Sequence, residues 1–297
     1  MPKAVIRMGD ETAITPLAQK LRRVDGPAVH VMGLRKVFRV SGGAGGRHHR
    51  DFVAVEGASF SLEQGHSLGI VGESGSGKTT IARMLVGIET ISGGTINVAG
   101  RDRSATAKST SERRRRGSEM QIVFQDPYTS LDPRQSINSC INEVLKLHLT
   151  MTEDERRQRI IELLDQVGLT ERQGIVLPKN LSGGQRQRVA IARALAAEPA
   201  VLVLDEAVSA LDVSIQAQII NLLNDIRERT NMAYIFISHN LAVVRQVTDQ
   251  TLVLKKGVVV EQGDTEKILD TPEDEYTKLL LASVPEPGWK PRRVGVD

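Results

Sequence analysis

One cysteine, Cys140, stands in a chain of 297 residues. A lone thiol excludes an internal disulfide framework and any multi-cysteine metal cluster, and it suits a reducing compartment. Aromatic residues are also scarce, with five Phe, three Tyr and one Trp. No stretch approaches the roughly 20 apolar residues needed to cross a bilayer. Arg7, Asp10 and Glu11 interrupt Met1–Ile14 before the apolar core of a signal peptide can form. The chain is therefore expected neither to enter nor to cross a membrane by itself, although it can dock on something that does. Charge of one sign is missing too, because the formal net charge is only +3, weak support for a nucleic-acid partner. What remains is an ordinary globular balance, 25% charged and 40% apolar. At this length there is room for one large or two modest domains with a substantial core.

The most specific stretch is Gly72-Glu73-Ser74-Gly75-Ser76-Gly77-Lys78-Thr79, which fits the phosphate-cradling pattern G-x-x-x-x-G-K-[ST]. An apolar strand-like run, Leu68–Val71, leads in, and a helix-like run from Thr80 to Leu85 follows. Glycines let successive N–H groups turn inward as an anion-binding concavity, and the helix N-terminus adds partial positive charge. Lys78 is then expected to reach the β- and γ-phosphates, and the Thr79 hydroxyl to ligate Mg²⁺.

Ala58, Phe60 and Leu62 alternate with polar residues, as in a half-buried strand, and Gln64-Gly65 turns the chain toward the phosphate loop. Gln121–Phe124 reads as a buried strand that brings Gln125 to the rim where α/β folds bind ligands. From Tyr128 to about Pro178 the chain turns mostly helical, with Ile137, Ile141, Val144 and Leu145 in register and a capping box at Thr152–Glu155. Leu181-Ser182-Gly183-Gly184-Gln185 opens another helix whose N–H groups the glycines leave bare, a second phosphate-suited tip far from the first. The continuous apolar run Ala200–Leu204 reads as a central parallel strand delivering Asp205 and Glu206 to the sheet's edge. Such a pair can divide labour, one carboxylate for Mg²⁺ and one to orient or deprotonate water. Ser209–Asp212 precedes a long helix, and Tyr234–Ile237 is a further buried strand ending at Ser238-His239. His239 is assigned to phosphate because of that rim position. Thr251–Leu254 and Val258–Glu261 read as two more strands about Gly257.

Three other features are less specific. Residues 1–27 mix charges without a period and read as a poorly ordered extension. Arg47-His48-His49-Arg50 and Arg113–Arg116 read as solvated basic faces, since they lack metal partners and interleaved aromatics respectively. Phe38, upstream of the phosphate loop, suits either stacking on a purine ring or core packing, and the sequence leaves both open.

Together these stretches resemble the nucleotide-binding subunit of an ATP-binding cassette (ABC) transporter, over nearly everything from Val29 to Pro285. The Leu181–Gln185 segment shortly before Leu202–Glu206 is the most specific part of the likeness. Finer resemblance, at Gln125–Arg134, Asp205–Ser214 and Tyr276–Leu280, is to the dipeptide/oligopeptide importer group, which includes nickel, glutathione and opine importers. Asn240 stands where that group often has aspartate, Asp274-Glu275 where His-Pro is usual, and the cysteine-bearing tail of some members is absent, so no iron–sulfur cluster is expected.

The resemblance implies an α/β P-loop NTPase (RecA-like) domain over 28–285, with an inserted α-helical subdomain at about 126–187, an antiparallel β subdomain and a C-terminal tail at 286–297. It implies ATP and Mg²⁺ as ligands and head-to-tail pairing with a second cassette, identical or related. By this likeness Gly72 through Thr80 and Phe38 bind nucleotide on one side, and Ser182, Gly183, Gly184, Gln185 and Asp212 on the other. Thr79, Gln125 and Asp205 serve the metal, while Glu206, His239 and Gln125 serve hydrolysis. It implies two membrane permeases, an extracytoplasmic binding protein reached indirectly, no nucleic acid, and a peripheral place on the cytoplasmic face of the inner membrane. A soluble, non-transport ABC ATPase is the rival reading; no second phosphate loop and no sustained heptad run support it.

Overall fold

The computed structural model describes residues 26–41, 49–126 and 130–283. The expected N-terminal extension up to residue 25, the glycine loop and basic stretch at 42–48, Pro127, Tyr128, Thr129 and the tail from 284 lie outside the described residues. In chain order the elements are β1 (Val29–Ser41), β2 (His49–Leu62), β3 (Ser67–Val71), α1 (Lys78–Leu85), β4 (Gly93–Val98), β5 (Arg101–Asp102), α2 (Thr110–Glu119) and β6 (Met120–Val123). There follow α3 (Ile137–His148), α4 (Glu153–Gln166), α5 (Glu171–Gly174), α6 (Gly183–Leu195), β7 (Val201–Asp205), α7 (Val213–Thr230) and β8 (Ala233–Ile237). The last are α8 (Leu241–Val247), β9 (Gln250–Lys255), β10 (Val258–Asp264), α9 (Thr265–Asp270) and α10 (Glu275–Ala282).

The strands form two sheets. One is antiparallel, in the order β2-β1-β4-β5; the other has six strands in the order β10-β9-β3-β8-β7-β6. In the second, β9, β3, β8, β7 and β6 are mutually parallel and only β10 runs against its neighbour. Strands β3, β7 and β8 are buried at every position, as expected where both faces of a parallel sheet are covered. Alternation sorts their side chains. Leu202, Leu204, Tyr234 and Phe236 enter one apolar core with α3, α4, α6 and α7. Val201, Val203, Ala233, Ile235 and Ile237 enter the other, with Ile81 and Leu85 of α1 and the inner face of the antiparallel sheet. The helices between β6 and β7 therefore share a core with the sheet. Because the parallel strands run one way, Val71, Val123, Asp205 and Ile237 all end at one edge, where ligands bind in such folds.

The capping box at Thr152 is present, with the hydroxyl accepting from Glu155 N–H and the Glu155 carboxylate accepting from Thr152 N–H. The stretch around Arg113–Arg116 is the solvated face expected at its first three arginines and departs from that reading at Arg116. Its arginines lie on α2, which the charged composition hides because no apolar period marks it. Ser109 caps the helix by accepting from Glu112 N–H. Arg113, Arg114 and Arg115 are exposed, but Arg116 donates to Glu112 at 2.5 Å and to the Ala105 carbonyl at 2.7 Å. Buried Glu119, the last residue of α2, accepts from Arg101 and, at 2.7 Å, from Arg103. Burial pulls the Arg103 guanidinium below its usual range, and the Glu119 hydrogen bond and charge oppose that pull. Among the described residues, no helix is long and apolar enough to cross a membrane.

Removing one member of a buried ion pair strands the other without compensation. Glu119→Ala is expected to lower stability by about 3–5 kcal/mol in urea unfolding, whereas Arg113→Ala, on the exposed face, should stay within about 0.5 kcal/mol of the parent.

Candidate active site

The turn from β3 into α1 is shaped by glycines that cannot be replaced in place. Gly72 has φ +147° and Gly77 φ +107°, and a Cβ would lie 2.1 Å from the Leu254 carbonyl oxygen at the first and 2.5 Å from the Ala54 oxygen at the second. Gly77 is the N-cap of α1 and contributes no side-chain hydrogen bond, so the first N–H groups of the helix are left for another partner. Gly257 N–H donates to the Ser76 carbonyl at 2.8 Å, while the buried Ser76 hydroxyl has no partner. Lys78, at 5% exposure, donates to the Gly72 and Glu73 carbonyls at 2.8 and 2.7 Å. Burial lowers its pKa, and the charges of Glu206, Asp205 and Glu73 oppose the shift. A buried ammonium with this balance favours any further negative charge brought near it.

The neighbouring strand ends converge on the same place. The Thr79 hydroxyl donates to Asp205 Oδ1 at 3.2 Å. Burial raises the Asp205 carboxyl above its usual range, and the Thr79 hydrogen bond partly offsets the rise. Glu206 follows with φ +50°, a left-handed conformation uncommon for a side chain of this kind. Its N–H donates to the Ile237 carbonyl at 2.9 Å, continuing the β7–β8 ladder. The turn sets Glu206 Oε1 3.4 Å from His239 Nδ1. Strain of this sort gathers at working sites.

Ser209 ties the rim together, a contact that the sequence did not disclose. Its hydroxyl donates to the Glu206 carbonyl at 2.9 Å and accepts from Gln125 Nε2 at 3.4 Å. Gln125, Ser209, Glu206 and His239 thus lie in one run of contacts. Ser238 anchors the His239 end, its N–H donating to Ile70 O and its hydroxyl accepting from Asn240 N–H. Asn240, despite differing from the usual aspartate, caps α8 by accepting from Ala242 and Val243 N–H.

The second helix tip has the expected form but a separate place. Ser182 is exposed and forms a capping box with Gln185, donating its N–H to Gln185 Oε1 at 2.9 Å and accepting from Gln185 N–H at 3.3 Å. A Cβ on Gly184 would lie 2.5 Å from Ile215 Cγ2, so α7 packs directly against the tip. Among the described residues no hydrogen bond or ion pair joins 182–185 to 72–79. Asp212, the N-cap of α7, makes no cap hydrogen bond and is exposed beside Val213, which is 84% exposed. Phe38 is half-buried, lies opposite Phe52 in the β1–β2 ribbon, and belongs to none of the three apolar clusters. The Lys36 ammonium sits 4.8 Å from its ring centre.

The residues present fit a magnesium nucleotide on two observations: a helix start at Gly77 whose first N–H groups no side chain caps, and a hydroxyl–carboxylate pair of hard oxygen donors at Thr79 and Asp205. Comparison with known proteins points the same way. Residues 55–209 match the family described as ABC transporter. The chain is 46% identical over 260 residues to the oligopeptide transport ATP-binding protein OppD of Mycobacterium tuberculosis, covering 87% of this chain and 42% of that one. It is 45% identical over 237 residues to the di/tripeptide transport ATP-binding protein DppF of Pseudomonas aeruginosa, covering 80% and 73%. It thus spans less than half of OppD and about three quarters of DppF. Among solved structures, the ATP-binding cassette MJ0796, a dimer in a post-hydrolysis state bound to ADP and Pi, superposes with a TM-score of 0.70 at 26% identity, covering 80% of this chain and 98% of that one. The chain belongs to the ABC transporter family and is one of its ATP-binding cassettes, with the α/β P-loop fold of that family.

Proposed function

We propose that the chain binds and hydrolyses ATP and that the energy drives an importer, with di- or oligopeptides as cargo. The observation that carries the proposal is the convergence of Lys78, Thr79, Asp205, Glu206 and His239 at one sheet edge, with Asp205 held by Thr79 and Glu206 beside His239. The peptide cargo rests on the likeness to OppD and DppF; nickel, glutathione or opines are the alternatives within the same importer group.

In this reading the amides from Gly75 to Thr80 and the ammonium of Lys78 hold the phosphates, and the half-buried ring of Phe38 stacks on the adenine. Mg²⁺, held by the Thr79 hydroxyl and the Asp205 carboxylate with Gln125 at its water shell, would neutralise charge developing on the phosphate oxygens. Glu206 orients and deprotonates the attacking water, and His239 donates toward the γ-phosphate. The exposed Ser182 tip and Asp212 face a second cassette, identical or related, so that each nucleotide lies between one copy's Lys78 loop and the other's Ser182 tip. Loss of γ-phosphate contacts on hydrolysis favours release of the pair. The assembly would sit peripherally on the cytoplasmic face of the membrane with two permeases and, beyond them, a binding protein. The Tyr128–Arg134 stretch is the candidate permease contact; of it, Ser130 to Arg134 is described, with Leu131 buried and Asp132 accepting from Arg134 N–H.

Glu206→Gln keeps the shape and removes the base. Steady-state ATP turnover of this variant should fall about 100-fold or more while ATP affinity holds, and turnover near the parent's would remove Glu206 from the role. Lys78→Ala should weaken equilibrium binding of ATP about tenfold or more; an unchanged affinity would contradict the loop assignment.

A further inference from the structure

Three of the contacts that hold the phosphate loop from behind come from residues beyond 209, where the family match ends. The Leu254 carbonyl lies against Gly72, leaving no room for a side chain. Gly257 N–H donates to the Ser76 carbonyl at 2.8 Å. The third is a side chain: the Tyr276 hydroxyl accepts from Glu73 N–H at 3.1 Å.

Tyr276 is built to stay there. It is 5% exposed and packs in a cluster with Val71, the last residue before the loop, and with Val253 and Ile268. The Lys255 ammonium lies 4.8 Å from its ring centre, a cation–π distance. The N-terminus of α10, which carries it, is fixed twice. Asp274 accepts from Tyr276 N–H at 2.8 Å and Thr277 N–H at 3.4 Å, and Glu261 of β10 accepts from Glu273 and Asp274 N–H. Asp274 is one of the two residues that replace the usual His-Pro pair, and here it serves as the helix cap.

We propose that Tyr276 is a positioning residue of the nucleotide site: its hydroxyl ties the second residue of the phosphate loop to α10 and keeps the loop in its binding shape. The inference rests on the nucleotide reading of that loop. A loop fixed behind at Gly72, Glu73 and Ser76 presents its forward amides without reorganising, and such preorganisation appears as affinity. Tyr276 touches no reacting atom, so its effect falls on binding rather than on chemistry.

The test uses Tyr276→Phe in the full chain, which keeps the ring, its packing and the Lys255 contact. Hydrogen exchange of the nucleotide-free protein should show the 72–78 segment exchanging about threefold to tenfold faster, the range one hydrogen bond commands, with β7 and β8 unchanged. Binding of Mg·ATP should weaken by a similar factor, raising KM while kcat at saturation stays within about twofold. Unchanged loop exchange with unchanged affinity would overturn the proposal. So would faster exchange spread evenly through β3, β7 and β8, which would mark Tyr276 as a general packing residue. A parent chain that fails to bind Mg·ATP would instead sink the nucleotide reading, and the exchange measurement would still report whether Tyr276 holds the loop.

Discussion

Backbone amides at the start of a helix attract an anion only if nothing else satisfies them and the preceding turn aims them inward. Here both conditions depend on close backbone contact. Gly72 is pressed against Leu254 and Gly77 against Ala54, each too near for a Cβ, and Gly77 offers α1 no side-chain cap. The neighbours that press on the loop belong to both sheets, β9 on one side and β2 on the other. The two-sheet arrangement, with α1 packed in the core between them, therefore sets the shape of the phosphate site.

Charge completes what shape begins. Burial pulls Lys78 down and pushes Asp205 up, so each is held away from its comfortable ionisation and each gains from a partner of opposite sign. In the proposed function a triphosphate would supply that partner to the lysine and a divalent cation would supply it to the aspartate. Glu206 reaches the same edge through a left-handed turn, and the hydroxyl of Ser209 under its carbonyl helps to fix that turn.

The elements that carry the site were largely legible in the sequence. The Gly-Lys-Thr turn, the apolar runs of β7 and β8, the capping box at Thr152 and the helix start at Ser182 rest on local patterns, and local patterns survive without knowledge of the fold. What escaped depends on contacts across the chain. Helix α2 has no apolar period, and only the pairing of Glu119 with Arg101 and Arg103 shows what its end does. Lys36 is buried because Glu89 and the Thr90 carbonyl receive its ammonium, more than fifty residues away. The bridge from Gln125 through Ser209 to Glu206 and the hold of Tyr276 on Glu73 have no signature in residue order. Phe38 stayed open for the same reason, since its sequence neighbours do not tell a core ring from a half-buried one.

Two helix tips suited to phosphate lie on one chain with no hydrogen bond or ion pair between them among the described residues, and the capping of its own helix does not account for the exposure of Ser182. Its purpose follows if another cassette brings it a nucleotide. The most direct test is a structure of the Glu206→Gln variant with Mg·ATP, in complex with its paired cassette. The expected result is each triphosphate enclosed between the lysine-bearing loop of one cassette and the Ser182-type helix tip of the other. A triphosphate seated on the loop, with the opposing tip turned to solvent in the assembled complex, would contradict it.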